Sequence, residues 1–152
     1  MVRYDDAAGT FERSFKRFKS LLAGQHISIA LDEKYQLDLS QAQESARTVI
    51  AALKRARVTS VVLAGDPIFP AFLTKEATAQ GYFPEWVVLG YAYTDTAVFG
   101  RTYDQRQWAH AFGVSLLPTR TSDTANEFAN ILTWQFGRGP DRWRNTLLDR
   151  RG

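Results

Sequence analysis

The stretch that decides the fold is VVLAGDPIFPAFL, residues 61–73. Its apolar run, 61–64, stops at Gly65, and Asp66 follows directly before a proline. A run this apolar is typical of a strand that is buried on both faces, as in a parallel sheet. Pro70 then suits the first turn of a helix. The stretch therefore predicts a buried parallel strand, a turn that presents a carboxylate, and a helix.

Strands and helices alternate in the same way on both sides of this stretch. Apolar residues at helical spacing predict helices at 10–23, 40–56, 70–80 and 124–136, with a further helical spacing from 103 to 112. Short apolar runs predict strands at 26–31, 58–64, 85–90 and 113–117, and residues 2–4 are read as the stump of a first strand. Ser40 and Gln43 have the spacing of a capping box at the second helix. The alternation predicts an α/β fold, a three-layer α/β/α arrangement with a mainly parallel sheet and right-handed crossovers.

Composition limits the broad class of the protein. The chain has 152 residues, 45% of them hydrophobic and 23% charged, as in an ordinary globular domain. We expect no membrane insertion, because no apolar run approaches the length of a membrane-spanning helix. The N-terminal residues show no secretory signal. Since cysteine is absent, disulfides, thiolate catalysis and cysteine zinc sites are excluded.

The positive charge is concentrated at the C-terminal end. Five arginines and two aspartates lie between Arg138 and Gly152, a difference of +3 that equals the net charge of the whole chain. A nucleic-acid-binding protein needs a basic stripe on its folded body, but the formal charges of residues 1–137 sum to zero. We therefore expect no nucleic-acid partner, a folded body at 1–137, and a poorly packed basic tail at 138–152.

Several predicted strands end at an acidic residue. Asp66 follows one strand, Asp95 lies a few residues past the next, and Asp5 and Asp6 follow the first. In parallel sheets, ligands bind in the crevice beyond the carboxyl ends of the strands, so these acids are predicted to line one rim. The alternative is that they only cap helices or turns, and the sequence leaves both roles open.

Recognisable catalytic patterns are missing. The sequence has no nucleophile elbow, no phosphate-binding loop, no G-x-G-x-x-G and no metal-ligand spacing. A rim of acids could hold magnesium, as in phosphotransfer receiver domains, but those also need a lysine at a late strand end, and residues 114–118 offer none. We therefore expect a protein that is not an enzyme and has no cofactor or metal. A standalone doubly wound domain with metal or phosphoryl chemistry at the rim is the alternative.

Three blocks of the sequence resemble a known family. They are YDDAAGTFERSFKRFKSLLAGQ (4–25), residues 37–90 with their G-D-P and G-Y-F-P-E-W segments, and TDTAVFGRTYDQRQWAHAFGVS (94–115). Together they resemble the second lobe of type 1 periplasmic-binding proteins, the substrate-binding receptors of branched-chain amino acid ABC transporters, in an actinobacterial-type branch. The resemblance covers roughly residues 2–136.

The resemblance implies a two-lobed receptor that binds its ligand between the strand ends of both lobes. It implies a non-catalytic function in transport, an extracytoplasmic location, an ABC permease as partner, and an amino acid, amide or related solute as ligand. Residues 1–137 then form the ligand-binding lobe, and the chain reads as a truncated second lobe that lacks its first lobe. The cleft candidates are placed by position: Asp66, Asp95, Arg101, Tyr103 and Gly9. The family's tyrosine before that glycine is replaced by Ala8, and its ammonium-binding acid falls near Gln36, so the sequence does not name the ligand.

Overall fold

The structure is a computed structural model and describes residues 1–5, 8–9, 11–115 and 117. The chain divides into two compact units, Met1–Leu116 and Leu117–Gly152. All described residues except Leu117 belong to the first unit, so the fold reported is that of the first unit alone. The predicted helix at 124–136 and the predicted tail at 138–152 lie outside the described residues and stay predictions.

Strands and helices alternate along the first unit. In chain order the elements are β1 Val2–Tyr4, α1 Glu12–Gly24, β2 Glu33–Tyr35, α2 Ala42–Arg55, β3 Ser60–Ala64, α3 Phe69–Ala79, β4 Glu85–Val88, a 3-10 turn Tyr91–Tyr93, α4 Ala97–Gly100, α5 Gln105–Trp108 and β5 Ala111–Gly113. Among the described residues, no helix combines the length and the apolar character that crossing a membrane requires.

The five strands form one sheet, in the order β2-β1-β3-β4-β5, and every pair is parallel. The register aligns Val61 of β3 with Trp86 of β4, and Trp86 with Ala111 of β5. Because all strands run the same way, their carboxyl ends meet at one edge, which we call the carboxyl edge. The predicted α/β class with a parallel sheet is confirmed.

The main core lies between the sheet and the pair α2 and α3. The predicted apolar face of α2 is confirmed, because all of its members are buried: Ala42, Ala46, Val49, Ile50 and Leu53. They pack in one cluster with Phe69 and Leu73 of α3 and with Val61 and Trp86 of the sheet. Burial of this apolar surface is the main force that holds the helices on the sheet.

The opposite face of the sheet is covered by α1. Val2 belongs to the core under α2 and α3, and the next residue, Arg3, points the other way because side chains alternate along a strand. Its guanidinium lies 5.2 Å from the ring centroid of Phe15 in α1. Helices therefore flank both faces, which is the three-layer arrangement.

The strand predicted at 26–31 is wrong. Residues 27–29 have no regular structure, His26 has a positive φ of 59°, and Ile27 is 53% exposed. The strand beside β1 is Glu33–Tyr35 instead, and its pairing begins where the Glu33 N–H donates to the Met1 carbonyl at 2.9 Å. Residues 26–31 therefore take no part in the sheet, in spite of their apolar alternation.

Three further predictions need correction at their boundaries. The strand predicted at 85–90 ends at Val88, and the strand predicted at 113–117 lies at Ala111–Gly113. The helix expected from 103 to 112 is reduced to Gln105–Trp108, because the His110 carbonyl already accepts from the Trp86 N–H of β4 at 3.1 Å. Sheet pairing thus replaces helix at this point.

The capping box predicted at α2 is not formed. Ser40 donates to Asp38 at 2.6 Å, and Gln43 donates to Glu76 of α3 at 2.8 Å. The helix begins at Ala42, so the two residues occupy other positions than the cap requires.

Candidate functional site

The switch point of the sheet lies between β1 and β3. The chain leaves β1 into α1 on one face and leaves β3 into α3 on the other. In doubly wound sheets of this strand order, the crevice beyond these two strand ends is the usual ligand position. The carboxyl edge, with the switch point at its centre, is therefore the candidate site.

Asp66 follows β3 at this crevice, and its carboxylate accepts three hydrogen bonds there. Its Oδ1 accepts from the backbone N–H groups of Ile68 at 2.7 Å and Phe69 at 2.9 Å, where α3 begins. Its Oδ2 accepts from the Tyr35 hydroxyl at 2.6 Å. The structure thus gives Asp66 a capping role, and its role toward a ligand stays a prediction.

Tyr35 was not singled out from the sequence, although it organises the switch point. Its ring stacks on Phe69 with centroids 4.1 Å apart, and its hydroxyl accepts from the Asp66 N–H at 3.2 Å. Burial, reinforced by the Asp66 charge, raises the pKa of Tyr35 well above its usual range. The tyrosine therefore stays neutral and keeps donating to the carboxylate.

Gly65 is the residue that allows Tyr35 and Asp66 to form their hydrogen bond. A Cβ at position 65 would overlap the Tyr35 hydroxyl and would lie 3.2 Å from the Tyr4 Cβ. The glycine between the apolar strand and the aspartate therefore leaves room for the tyrosine to reach across from β2. This close approach is the physical reason for the Gly-Asp pair in the opening stretch.

Tyr103 lies near the same strand end but is turned inward. It is 3% exposed, its hydroxyl donates to the Pro67 carbonyl at 2.8 Å, and its ring meets Trp108 edge-on with centroids 4.5 Å apart. Burial and the Asp66 charge raise its pKa. Its contacts fix the loop after β3, and a ligand contact stays a prediction.

Arg101 and Gly9 occupy exposed positions. Arg101 follows α4, and Gly9 has a φ of +65° in the turn that leads into α1. The Gly9 carbonyl accepts from the Glu12 N–H at 3.2 Å. Neither position is tied to the Tyr35–Asp66 pair by any contact among the described residues, and their roles in binding stay predictions.

Asp95 lines a pocket at the ends of β4 and β5, which we call the β4–β5 pocket. The pocket has a volume of about 200 Å³. Its lining residues are Val88, Asp95, Trp108, Ala111, Phe112, Gly113, Val114 and Ser115. The Ser115 hydroxyl donates to Asp95 Oδ2, whereas Oδ1 is buried and accepts no hydrogen bond within the part of the chain that the structure describes.

A charge network around the buried Arg3 lies beside β1, away from the β4–β5 pocket. Arg3 is 2% exposed and donates to both carboxylate oxygens of Asp32, at 2.7 and 3.1 Å, and to Glu12 at 2.7 Å. Burial raises the pKa of Asp32, but hydrogen bonds from Arg3 and Lys19 outweigh burial and hold it below its usual value. Each charge has a partner, so the network ties α1 to the sheet.

Within the described residues, no group of three or more His, Cys, Asp or Glu side chains could hold a metal ion together.

The sequence matches no family model, and no curated protein matches it.

Proposed function

We propose that this chain is a non-catalytic solute-binding lobe that receives a small molecule at the carboxyl edge of its sheet. The expected ligand class is an amino acid, an amide or a related solute. The observation that carries the proposal is the edge itself, where an open pocket and two fixed carboxylates, Asp66 and Asp95, lie beyond the ends of parallel strands. Parallel α/β sheets bind small molecules at this edge.

The wider setting of the proposal rests on the sequence resemblance. In that setting the lobe belongs to an extracytoplasmic receptor, a first lobe covers the ligand from the other side, and an ABC permease receives the solute. Small-molecule sites usually bury most of the ligand surface. A single lobe supplies one wall, so we expect the chain alone to bind with a Kd in the millimolar range or weaker, about 4 kcal/mol.

A thermal-shift screen of the full chain tests the proposal. The solutes are amino acids, amides, urea-like compounds and aromatic acids. A solute at about ten times its Kd stabilises the folded protein by about 1.4 kcal/mol, which is a measurable rise in Tm. The same chain fused to the first lobe of a type 1 receptor is expected to bind the active solute more tightly, since the second wall is restored.

Two outcomes would contradict the proposal. The first is that no solute raises the Tm of either protein. The second is that Mg²⁺ or inorganic phosphate raises it and that Asp66→Asn or Asp95→Asn removes the effect. The second outcome favours metal or phosphoryl chemistry at the rim. A Glu44→Gln variant on the exposed side of α2 is the control for the change in net charge.

A further inference from the structure

The turn after β4 holds two residues in a backbone conformation that side chains disfavour. Ala92 and Tyr93 have φ values of +50° and +63°, and Gly90, just before them, has a φ of +64°. Glycine adopts this left-handed conformation readily. Alanine and tyrosine do not, because their Cβ comes too close to the following carbonyl oxygen. The turn is therefore strained at Ala92 and Tyr93, at the carboxyl edge of the sheet.

The other positive φ values of non-glycine residues in the described part of the chain have a local explanation. They belong to His26 and Arg57, which follow the ends of α1 and α2. In both places the N–H of the next residue donates to a carbonyl five residues earlier, at 2.9 and 3.1 Å. A left-handed residue commonly ends a helix in this way. Ala92 and Tyr93 lie inside a 3-10 turn of three residues, so this explanation does not apply to them.

Burial of the side chain does not compensate for the strain at Tyr93, because this residue is 63% exposed. Two neighbouring threonines hold the backbone instead. The Thr94 hydroxyl donates to the Tyr91 carbonyl at 2.8 Å, and the Thr96 hydroxyl donates to the Tyr93 carbonyl at 2.7 Å. The turn thus fixes a conformation that leaves an aromatic residue exposed to solvent. Strained residues that are held in this way are concentrated at functional sites.

The turn also borders the switch point of the sheet. The Tyr91 ring meets the Phe11 ring edge-on, with centroids 5.1 Å apart. Phe11 lies where the chain passes from β1 into α1, whereas Tyr91 follows β4. Because β3 lies between β1 and β4 in the sheet, this contact spans the carboxyl end of β3 on the α1 side. Tyr93 is therefore two residues away from a contact that borders the candidate site.

We propose that Tyr93 is a stacking residue of the candidate site, whose ring contacts the planar aromatic part of a small solute. Stacking of two aromatic rings adds affinity beyond that of the buried area alone. The inference rests on the proposed solute-binding function and names the class of the solute, a planar aromatic amide. The strain at Ala92 and Tyr93 fixes the backbone that carries the ring before the solute arrives.

The test is a titration of the full chain with benzamide, followed by ¹H–¹⁵N NMR. The control is cyclohexanecarboxamide, which carries the same amide on a saturated ring. We expect benzamide to shift the backbone amides at 90–94, with a Kd in the millimolar range. We expect cyclohexanecarboxamide to bind about three- to tenfold more weakly, the difference that aromatic stacking adds beyond buried area.

Variants at Tyr93 separate stacking from a structural role. Asparagine adopts the left-handed conformation more readily than tyrosine, so Tyr93→Asn removes the ring and relieves strain in one step. We expect Tyr93→Asn to melt no lower than the wild type and to bind benzamide about three- to tenfold more weakly. Tyr93→Phe keeps the ring and should keep the affinity within about twofold. Arg57→Asn, at the end of α2, relieves the same kind of strain and should leave the affinity unchanged.

Several results would overturn the inference. They are equal affinities of the wild type and Tyr93→Asn for benzamide, equal affinities of the wild type for the two amides, and equal weakening by Arg57→Asn. A Tm of Tyr93→Asn below that of the wild type would show that the ring supports the fold, and it would overturn the inference too. If another solute shifts amides at the carboxyl edge while benzamide does not bind, the stacking site fails and the solute-binding function stands.

Discussion

Replacing Asp66 by alanine tests whether this residue holds the switch point together. The change removes the acceptor of two backbone N–H groups at the start of α3, at 2.7 and 2.9 Å, and the acceptor of the Tyr35 hydroxyl at 2.6 Å. Loss of a cap costs about 1 kcal/mol. A buried hydroxyl left without its acceptor costs about 1–3 kcal/mol. We expect Asp66→Ala to lower the free energy of unfolding by about 2–4 kcal/mol.

Urea denaturation followed by far-UV circular dichroism measures this loss. Hydrogen exchange of the Ile68 and Phe69 amides reports it locally, because both lose their acceptor. A double-mutant cycle with Tyr35→Phe should give a coupling of about 1–2 kcal/mol, since both changes remove the same hydrogen bond. Glu44→Ala, at an exposed position, should change stability by less than about 0.5 kcal/mol. If Asp66→Ala also lowered the free energy of unfolding by less than about 0.5 kcal/mol, as expected for Glu44→Ala, the reasoning would be refuted.

Three further predictions concern the packing around the sheet. Gly65→Ala should cost about 1–3 kcal/mol, because its methyl overlaps the Tyr35 hydroxyl, and Tyr35→Phe in the same chain should recover part of the loss, as measured by urea denaturation. Asp32 stabilises the fold at pH values above its unfolded pKa of about 3.8, and this contribution is lost as the pH falls through its lower folded pKa, so Asp32→Asn should flatten the acid limb of a stability–pH profile. Leu53→Ala, in the core beneath α2, should lower the free energy of unfolding by about 2–5 kcal/mol, whereas a loss below 1 kcal/mol would contradict the packing.

The parts of the fold that the sequence predicts well are those whose signal is local. The apolar face of α2 repeats at helical spacing, and β3 is apolar throughout, so both are recognisable from neighbouring residues alone. The Gly65–Asp66 turn was also recognisable as a strand end. Its partner was not, because Tyr35 reaches it from a strand 31 residues earlier in the chain.

The parts that the sequence misses depend on long-range contacts. Glu33–Tyr35 has no apolar alternation, and it is a strand only because it pairs with β1 at the sheet edge. The buried Arg3 looks like an ordinary surface charge until Asp32 and Glu12 are brought to it. The sequence offered two signals, a tyrosine among charged neighbours and an arginine inside a short apolar stretch. Each signal is weak when the topology is unknown.

The central claim, that a small solute binds at the carboxyl edge, is tested most directly by mapping the bound solute on the protein. The measurement is a ¹H–¹⁵N NMR titration of the full chain with the most stabilising solute from the screen. We predict that the largest amide shifts follow the ends of β3, β4 and β5, at residues 65–68, 89–95 and 113–115. Saturable shifts clustered at the amino ends of the strands would contradict the claim. So would the lack of any shift at solute concentrations well above the millimolar Kd expected for one lobe.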